Sequence, residues 1–235
     1  MRLYPVLAFL AVAAIPASAN AQIFFADDFD TYANGSQIAG QGGWETWDNA
    51  PGANTTVSNA QAFTVPNSLA VSGPADIVHQ FVGANAAASN VWFARVQTFV
   101  PSTAQGDMFF ILLNQYAPLG ANNNWSVQVA LCQAGCISGT PGSVANLGGT
   151  DVAGSATVPL ITNQWVELRV EINFTTNTYS VFYNNQLMET LPWQQTGTAQ
   201  IQAVDLFSQS NTVGFMDGFY LDETLPVELT GFSVN

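Results

Sequence analysis

Ten consecutive residues, Trp165–Phe174, alternate without a break. Val166, Leu168, Val170, Ile172 and Phe174 fall on one side, and Trp165, Glu167, Arg169, Glu171 and Asn173 on the other. A helix would scatter these two sets around its axis, whereas a strand sends successive side chains to opposite faces, so the pattern predicts a strand with one dry face and one wet face. Thr175-Thr-Asn-Thr178 follows with turn chemistry, and Tyr179–Tyr183 starts a second strand. Asn184-Asn185 then makes a tight turn, because Asn tolerates positive φ. A strand–turn–strand–turn–strand meander of this kind belongs to an antiparallel sheet.

The rest of the chain agrees. Helical stripes with caps at both ends are missing. Strand signals recur at Ile23–Phe25, Val57–Val65, Ser68–Ser72, Ile77–Val82, Val91–Val100, Trp125–Leu131, Ala199–Phe207 and Val213–Leu221. Met108–Leu113 is apolar on both faces, as a central strand would be. About a dozen short strands separated by turn clusters predict an all-β fold: two stacked antiparallel sheets, a jelly-roll sandwich, rather than a closed barrel.

The ends read differently. Arg2, the apolar run Leu7–Ile15 and the small residues Ala17–Ala21 form a secretory signal peptide over residues 1–21. The apolar run is shorter than the roughly 20 residues that span a bilayer. Residues 22–224 form the expected sandwich domain, and 225–235 a tail or the start of a linker. The chain has no lysine; without Arg2 two arginines face 16 acids, so the formal charge moves from −13 to −14. Phosphate backbones need clustered Lys and Arg, which excludes nucleic acid as a partner. An acidic exterior suits neutral ligands, divalent cations and solubility. The expected location is secreted or at the cell surface. Cys132 and Cys136 are the only cysteines, and an even count in an exported chain reads as a disulfide. A zinc site at those two thiols lacks further ligands. Asn34, Asn54, Asn124 and Asn173 open N-x-[ST] sequons.

Asp27-Asp-Phe-Asp30, Gly42-Gly-Trp-Glu-Thr-Trp47, the Trp165–Val170 and Tyr179–Asn184 meander, and Asp217-Gly-Phe-Tyr220 resemble, in order and spacing, the concanavalin A-like lectin/glucanase domains, including laminin-G-like jelly rolls of exported bacterial proteins. The resemblance spans about residues 24–223. It implies a concave glycan-binding face and a structural calcium ion. Asp28 and Asp30, on one strand face, with Asp217 and Asp222, are the oxygen donors for such an ion. Sandwiches commonly join their first and last strands, which would bring these acids together and close a sheet edge.

Candidate sugar platforms are Trp44 and Trp47 beside Asp48 and Asn49, Tyr116 near Trp125, and Trp193 after Pro192. Flat aromatics stack on sugar rings, and neighbouring amides and carboxylates meet hydroxyls. Trp44 and Trp47 could equally plug the end of the sandwich. Catalysis is less well supported. Glu167 and Glu171 lie about 13 Å apart along a strand, with Arg169 between them, which lowers both carboxyls rather than raising one into a general acid. His79 is the only histidine, and no G-x-S-x-G elbow accompanies it. His79, Gln80, Arg95 and Gln97 could form a lyase site if neighbouring strands bring them together. The leading expectation is therefore a non-catalytic module that recognises neutral carbohydrate. A structural or adhesive surface component comes second, and a glycoside hydrolase or polysaccharide lyase third.

Overall fold

The computed structural model describes residues 23–120, 122–209 and 212–223. The expected signal peptide over residues 1–21 and the expected tail over 225–235 lie outside them. Among the described residues there are fifteen strands and two short 3-10 turns, Trp47–Asn49 and Pro51–Ala53. The strands are β1 (Ile23–Asp27), β2 (Trp44–Thr46), β3 (Thr56–Ser58), β4 (Ser68–Ser72), β5 (Asp76–Gln80), β6 (Val91–Phe99), β7 (Asp107–Gln115), β8 (Asn124–Cys132), β9 (Ser143–Gly148), β10 (Thr157–Pro159), β11 (Trp165–Asn173), β12 (Thr178–Tyr183), β13 (Gln186–Pro192), β14 (Ala203–Ser208) and β15 (Val213–Asp222). They form two antiparallel sheets. The eight-stranded sheet runs β13-β12-β11-β6-β15-β4-β3, with β1 also paired to β15. The seven-stranded sheet runs β10-β9-β8-β7-β14-β5-β2.

Alternation decides which side chains enter the core. Val166, Leu168, Val170 and Ile172 of β11 are buried, while Trp165, Glu167, Arg169 and Glu171 are half-exposed. Each such aliphatic side chain contributes roughly 1.5–3 kcal/mol on burial. The β12–β13 turn uses Asn184 at φ 50° and Asn185 at φ 58°, the left-handed pair that matches the twist of a hairpin. The terminal strands meet as expected: Asp27 pairs with Phe219, and Phe29 and Phe219 both pack on Trp44.

Some strand limits differ from the pattern. The strand expected over 57–65 ends at Ser58, because Phe63 and Thr64 turn away to donate their backbone N–H groups to Asp217. Strands β2, β9 and β10 carry too few residues, or too little apolar alternation, to stand out in the sequence.

Strand β7 positions the site. Met108, Phe110 and Leu112 join the core between the sheets, whereas Phe109, Ile111 and Leu113 belong to a second apolar cluster on the outer side of the seven-stranded sheet. That cluster includes Val78, Ala130 and Ala203, with Trp47, Tyr116, Trp125 and Phe207 packed against it.

Candidate functional site

An outward sheet face is ordinarily polar and wet. This one is apolar and half-covered, and a groove of about 350 Å³ opens in it, lined by Trp47, Asp76, Ile111, Trp125, Gln128, Asp205 and Phe207. The volume lies at the lower end of ordinary ligand pockets, roughly 300–1,000 Å³. Pairing builds its floor. Asp205 of β14 sits opposite Ile111 of β7, which sits opposite Gln128 of β8. On the other flank Asp205 is opposite Val78 and Asp76 is opposite Phe207. The two aspartates are thus diagonal neighbours on one face, within reach of each other.

The walls are aromatic. The ring of Trp47 lies 5.8 Å from that of Trp125 at an interplanar angle of 12°, parallel and offset. Tyr116 meets Trp47 at 4.8 Å and 58°. Trp47 starts a tight turn in which Asp48 (φ 52°) and Asn49 (φ 56°) are left-handed, a conformation these two residue types tolerate. Asp48 then accepts the Leu119 N–H at 2.6 Å and ties this turn to the loop that leads from Tyr116 to Trp125. The Trp125 backbone is fixed in turn by mutual bonds with Thr150, and Tyr116 N–H donates to Gln202 at 2.7 Å.

As diagonal neighbours on one face, Asp76 and Asp205 lie within reach of each other, an arrangement that favours a proton shared between them. Asp205 is 3% exposed. One oxygen of each, Oδ1, is buried without any partner. Burial raises Asp205 well above the usual carboxylate range, and the adjacent Asp76 charge and hydrogen bond add to it. Burial pushes Asp76 up to about 6, against the lowering effect of its bond to Asp205 and helped by the Asp48 charge. The described cationic side chains, Arg95 and Arg169, both lie in the eight-stranded sheet. Among the described residues the acid pair therefore has no counter-ion on its own face.

The structure gathers some of the expected residues and separates others. Trp47, Asp48 and Tyr116 meet at this groove. Asn49 is exposed beside a neighbouring shallow depression. Trp44 and Trp193 are each 1% exposed and belong to the core, so neither can offer a face to a sugar. Trp44 donates from Nε1 to Asp27 at 2.8 Å, and Trp193 packs against Phe174 and Tyr179. His79 points inward, stacks at 4.0 Å on Phe25 and meets Gly42 O at 3.2 Å; burial lowers its pKa. A Cβ at Gly43 (φ +86°) would come within 2.8 Å of that imidazole, so glycine is required there. The four proposed lyase residues are split: His79 and Gln80 lie in β5 and Arg95 and Gln97 in β6, in different sheets.

The four candidate calcium donors are each engaged. Asp28 Oδ1 accepts Asp30 N–H, and Asp30 Oδ1 accepts Asn67 N–H. Asp217 accepts the N–H groups of Phe63, Thr64 and Gly218. Asp222 pairs with Arg95 at 3.2 Å. Among the described residues, the group of three His, Cys, Asp or Glu donors within 4.8 Å of one another is Asp107, Cys132 and Cys136 instead. The expected disulfide is not formed: both thiols are free. Cys132 donates to Asp107 and Cys136 to the Gly139 carbonyl, each at 3.4 Å.

The residues missed in the sequence are Asp76, Asp205, Gln128 and Phe207. Each stands alone among unremarkable neighbours, and strand pairing is what unites them. Trp125 carried a usable signal, an aromatic at the start of an alternating strand after an Asn-rich loop.

No protein-family model matches this sequence, and no curated protein matches it. Solved structures do match in fold. The globular domain of T. cruzi calreticulin is similar at 8% identity, with a TM-score of 0.59 over 87% of this chain and 89% of that one. An endo-β-1,4-glucuronan lyase from the fungus Trichoderma reesei is similar at 7% identity, with a TM-score of 0.54 over 86% and 96%. A mutant Trypanosoma rangeli sialidase matches at 12% identity, with a TM-score of 0.51 over 77% of this chain but 30% of the sialidase. At such identities the likeness shows the fold: an all-β sandwich shared with these proteins. No helix of the described residues is long and apolar enough to cross a membrane.

Proposed function

We propose that this chain is an exported saccharide-binding module on a concanavalin A-like sandwich, and that its ligand seats in the Trp47–Trp125 groove. One observation carries the reading: two parallel indoles line the same groove as Asp76 and the buried Asp205, each of which has an oxygen with no partner other than its neighbouring carboxyl. Indoles stack on the apolar faces of sugar rings, and carboxyl oxygens accept from ring hydroxyls. Two of the fold neighbours are carbohydrate enzymes by name, which agrees with this class of ligand.

The geometry favours binding over hydrolysis. Glycosidases hold their carboxyl groups about 5–5.5 Å apart when retaining and about 6.5–9.5 Å when inverting. A pair near enough to share a proton is closer than either and leaves no room for an anomeric carbon or a water between its members. Binding is also favoured over self-assembly. Strands β2, β3 and β10 at the sheet edges are three residues long, and β13 carries Glu189 and ends on Pro192, which blunts it as a template. Binding in this groove is expected to be independent of calcium, since the four candidate donors are not among the residues that line it.

A glycan array followed by calorimetry, with and without EDTA, tests the reading. Binding persists in EDTA and falls at least tenfold in Trp47→Ala and Trp125→Ala. Unchanged affinity in both variants would place the ligand elsewhere and sink the proposal.

A further inference from the structure

The overall charge of −13 points to a neutral ligand, but the groove itself is more specific than the whole surface. Its ionisable groups are of one sign. Asp76 and Asp205 form the floor, Glu45 stands opposite Val78 on the adjoining β2, and Asp48 stands beside Trp47. Burial pushes the Tyr116 phenol up to about 12, against the lowering effect of the Asp48 backbone and helped by the charges of Glu45, Asp48 and Asp205. Gln128 is the neutral member of the lining. An apolar, half-closed site with carboxylates and no protein cation is costly to ionise. The proton between Asp76 and Asp205 relieves that cost while the groove is empty. Lining the same groove as the acids are the indoles of Trp47 and Trp125, whose negative faces attract cations. Acids and aromatic rings in one groove are the surroundings of a bound ammonium group.

Resting on the reading that the groove binds saccharide, we infer that the preferred ligand is an amino sugar with its nitrogen unacylated, whose ammonium group seats against the carboxyls of Asp76 and Asp205 beside the Trp47 and Trp125 rings. The balance is simple: the ligand's cation enters, the shared proton leaves to solvent, and two carboxylates face one ammonium. A neutral sugar must leave that proton in place and gains only stacking and hydroxyl contacts. An anionic sugar meets like charge on every side.

The test compares short β-linked glucosamine oligomers, their fully N-acetylated forms and glucuronate oligomers, titrated calorimetrically into the full chain at pH 6 in EDTA, in buffers of different ionisation enthalpy. The amine form is expected to bind at least tenfold tighter than the acetylated form, with a buffer-dependent enthalpy that reports proton release. Asp205→Asn is expected to erase this preference while keeping the acetylated oligomer's affinity, and Asp76→Asn serves as the second variant should Asp205→Asn fold poorly. Equal affinity for the amine and acetylated forms, or tighter binding of glucuronate, overturns the inference and leaves the saccharide site standing. A lysine-rich peptide that binds as tightly as the amine oligomer overturns the sugar assignment. Failure of all saccharides to bind overturns both readings.

Discussion

The two outer faces of the sandwich handle their acids in opposite ways. On the eight-stranded sheet Glu167, Glu171 and Asp222 each have a cation, and Asp217 is held by backbone N–H groups. Arg169 donates to Glu167 at 2.6 Å and to Glu171 at 3.0 Å, and Arg95 reaches Asp222 at 3.2 Å. The guanidiniums also lie 4.5 Å over Tyr220 and Phe182. Arg95 and Arg169 are direct cross-strand neighbours, a like-charge pairing that costs unless each finds acids. That face is a closed account of charge, with nothing left for a ligand. On the seven-stranded sheet Asp76 and Asp205 have only each other and a proton. An acid beside an arginine holds the fold together; an acid without one, buried among indoles, is poised for something outside the chain.

The largest effect should come from breaking the paired face. Arg95→Met leaves Asp222, 2% exposed, without its cation and with an oxygen already unpartnered. Removing one member of a buried pair costs about 3 kcal/mol, or roughly 6–12 °C in Tm for a domain of this size. Burial raises Asp222, and Arg95 opposes that rise. Without Arg95 the folded-state pKa climbs further, so the loss is greatest at pH 7 and shrinks towards pH 4 as Asp222 takes up its proton. Thermal melts at both values check this, and saccharide affinity should not change.

The unpaired face gives the next largest effect, on binding. Trp125→Ala removes half of the parallel indole pair and should cut saccharide affinity about 10–100-fold, about 1.4–2.7 kcal/mol. Its Tm should fall less than that of Arg95→Met, because Trp125 is half-exposed. A Tm loss larger than the binding loss would mean that the indole is a structural cover and not a platform.

The acid pair itself makes a prediction of opposite sign. A carboxyl whose folded pKa is raised contributes stability that is complete below its unfolded value, near 4, and is lost as pH rises through the folded value. For Asp76 that window runs from about 4 to above 6, and for Asp205 it extends higher. Asp205→Asn cannot ionise and still offers an N–H to Asp76. It should therefore stabilise the chain at pH 8 by about 1–2 kcal/mol, discounted for the part of Asp76 open to solvent, and be nearly neutral at pH 4. Denaturant titrations at the two pH values measure the difference; equal effects at both would show that the pair is not protonated in the folded state.

The two faces were not equally legible in the sequence. Strand β11 announces itself because one of its sides is wet, so the alternation of Val166–Phe174 fixes strand, face and core at once, and the Glu167–Arg169–Glu171 ladder is visible in the same ten residues. Strand β7 hides its role for the opposite reason. Met108–Leu113 is apolar on both sides, and nothing local distinguishes Phe110, packed between the sheets, from Phe109 and Ile111, which line the groove. Asp76 and Asp205 meet only through the β5–β14 register, a long-range pairing that no single segment encodes. Trp44 and Trp47 lie three residues apart in one loop-like stretch. One is drawn into the core by a hydrogen bond to Asp27 and the other is turned outward by two left-handed residues, a distinction that depends on partners far along the chain.

The smallest effect belongs to the outermost pair of the ladder. Glu171→Gln leaves Arg169 bonded to Glu167 and to Asn185, so the guanidinium keeps its place. Glu171 is half-exposed, and an ion pair open to solvent contributes on the order of 0.5 kcal/mol or less. The expected change in Tm is therefore about 1–2 °C at low salt, disappearing as added salt screens the pair. The groove variants should respond differently: the raised carboxyls of Asp76 and Asp205 arise first from burial, which salt does not screen. If the pH-dependent stability of the parent chain faded with salt as fast as the Glu171 effect does, the two faces would not differ in kind, and the acid pair would be one more solvated surface cluster.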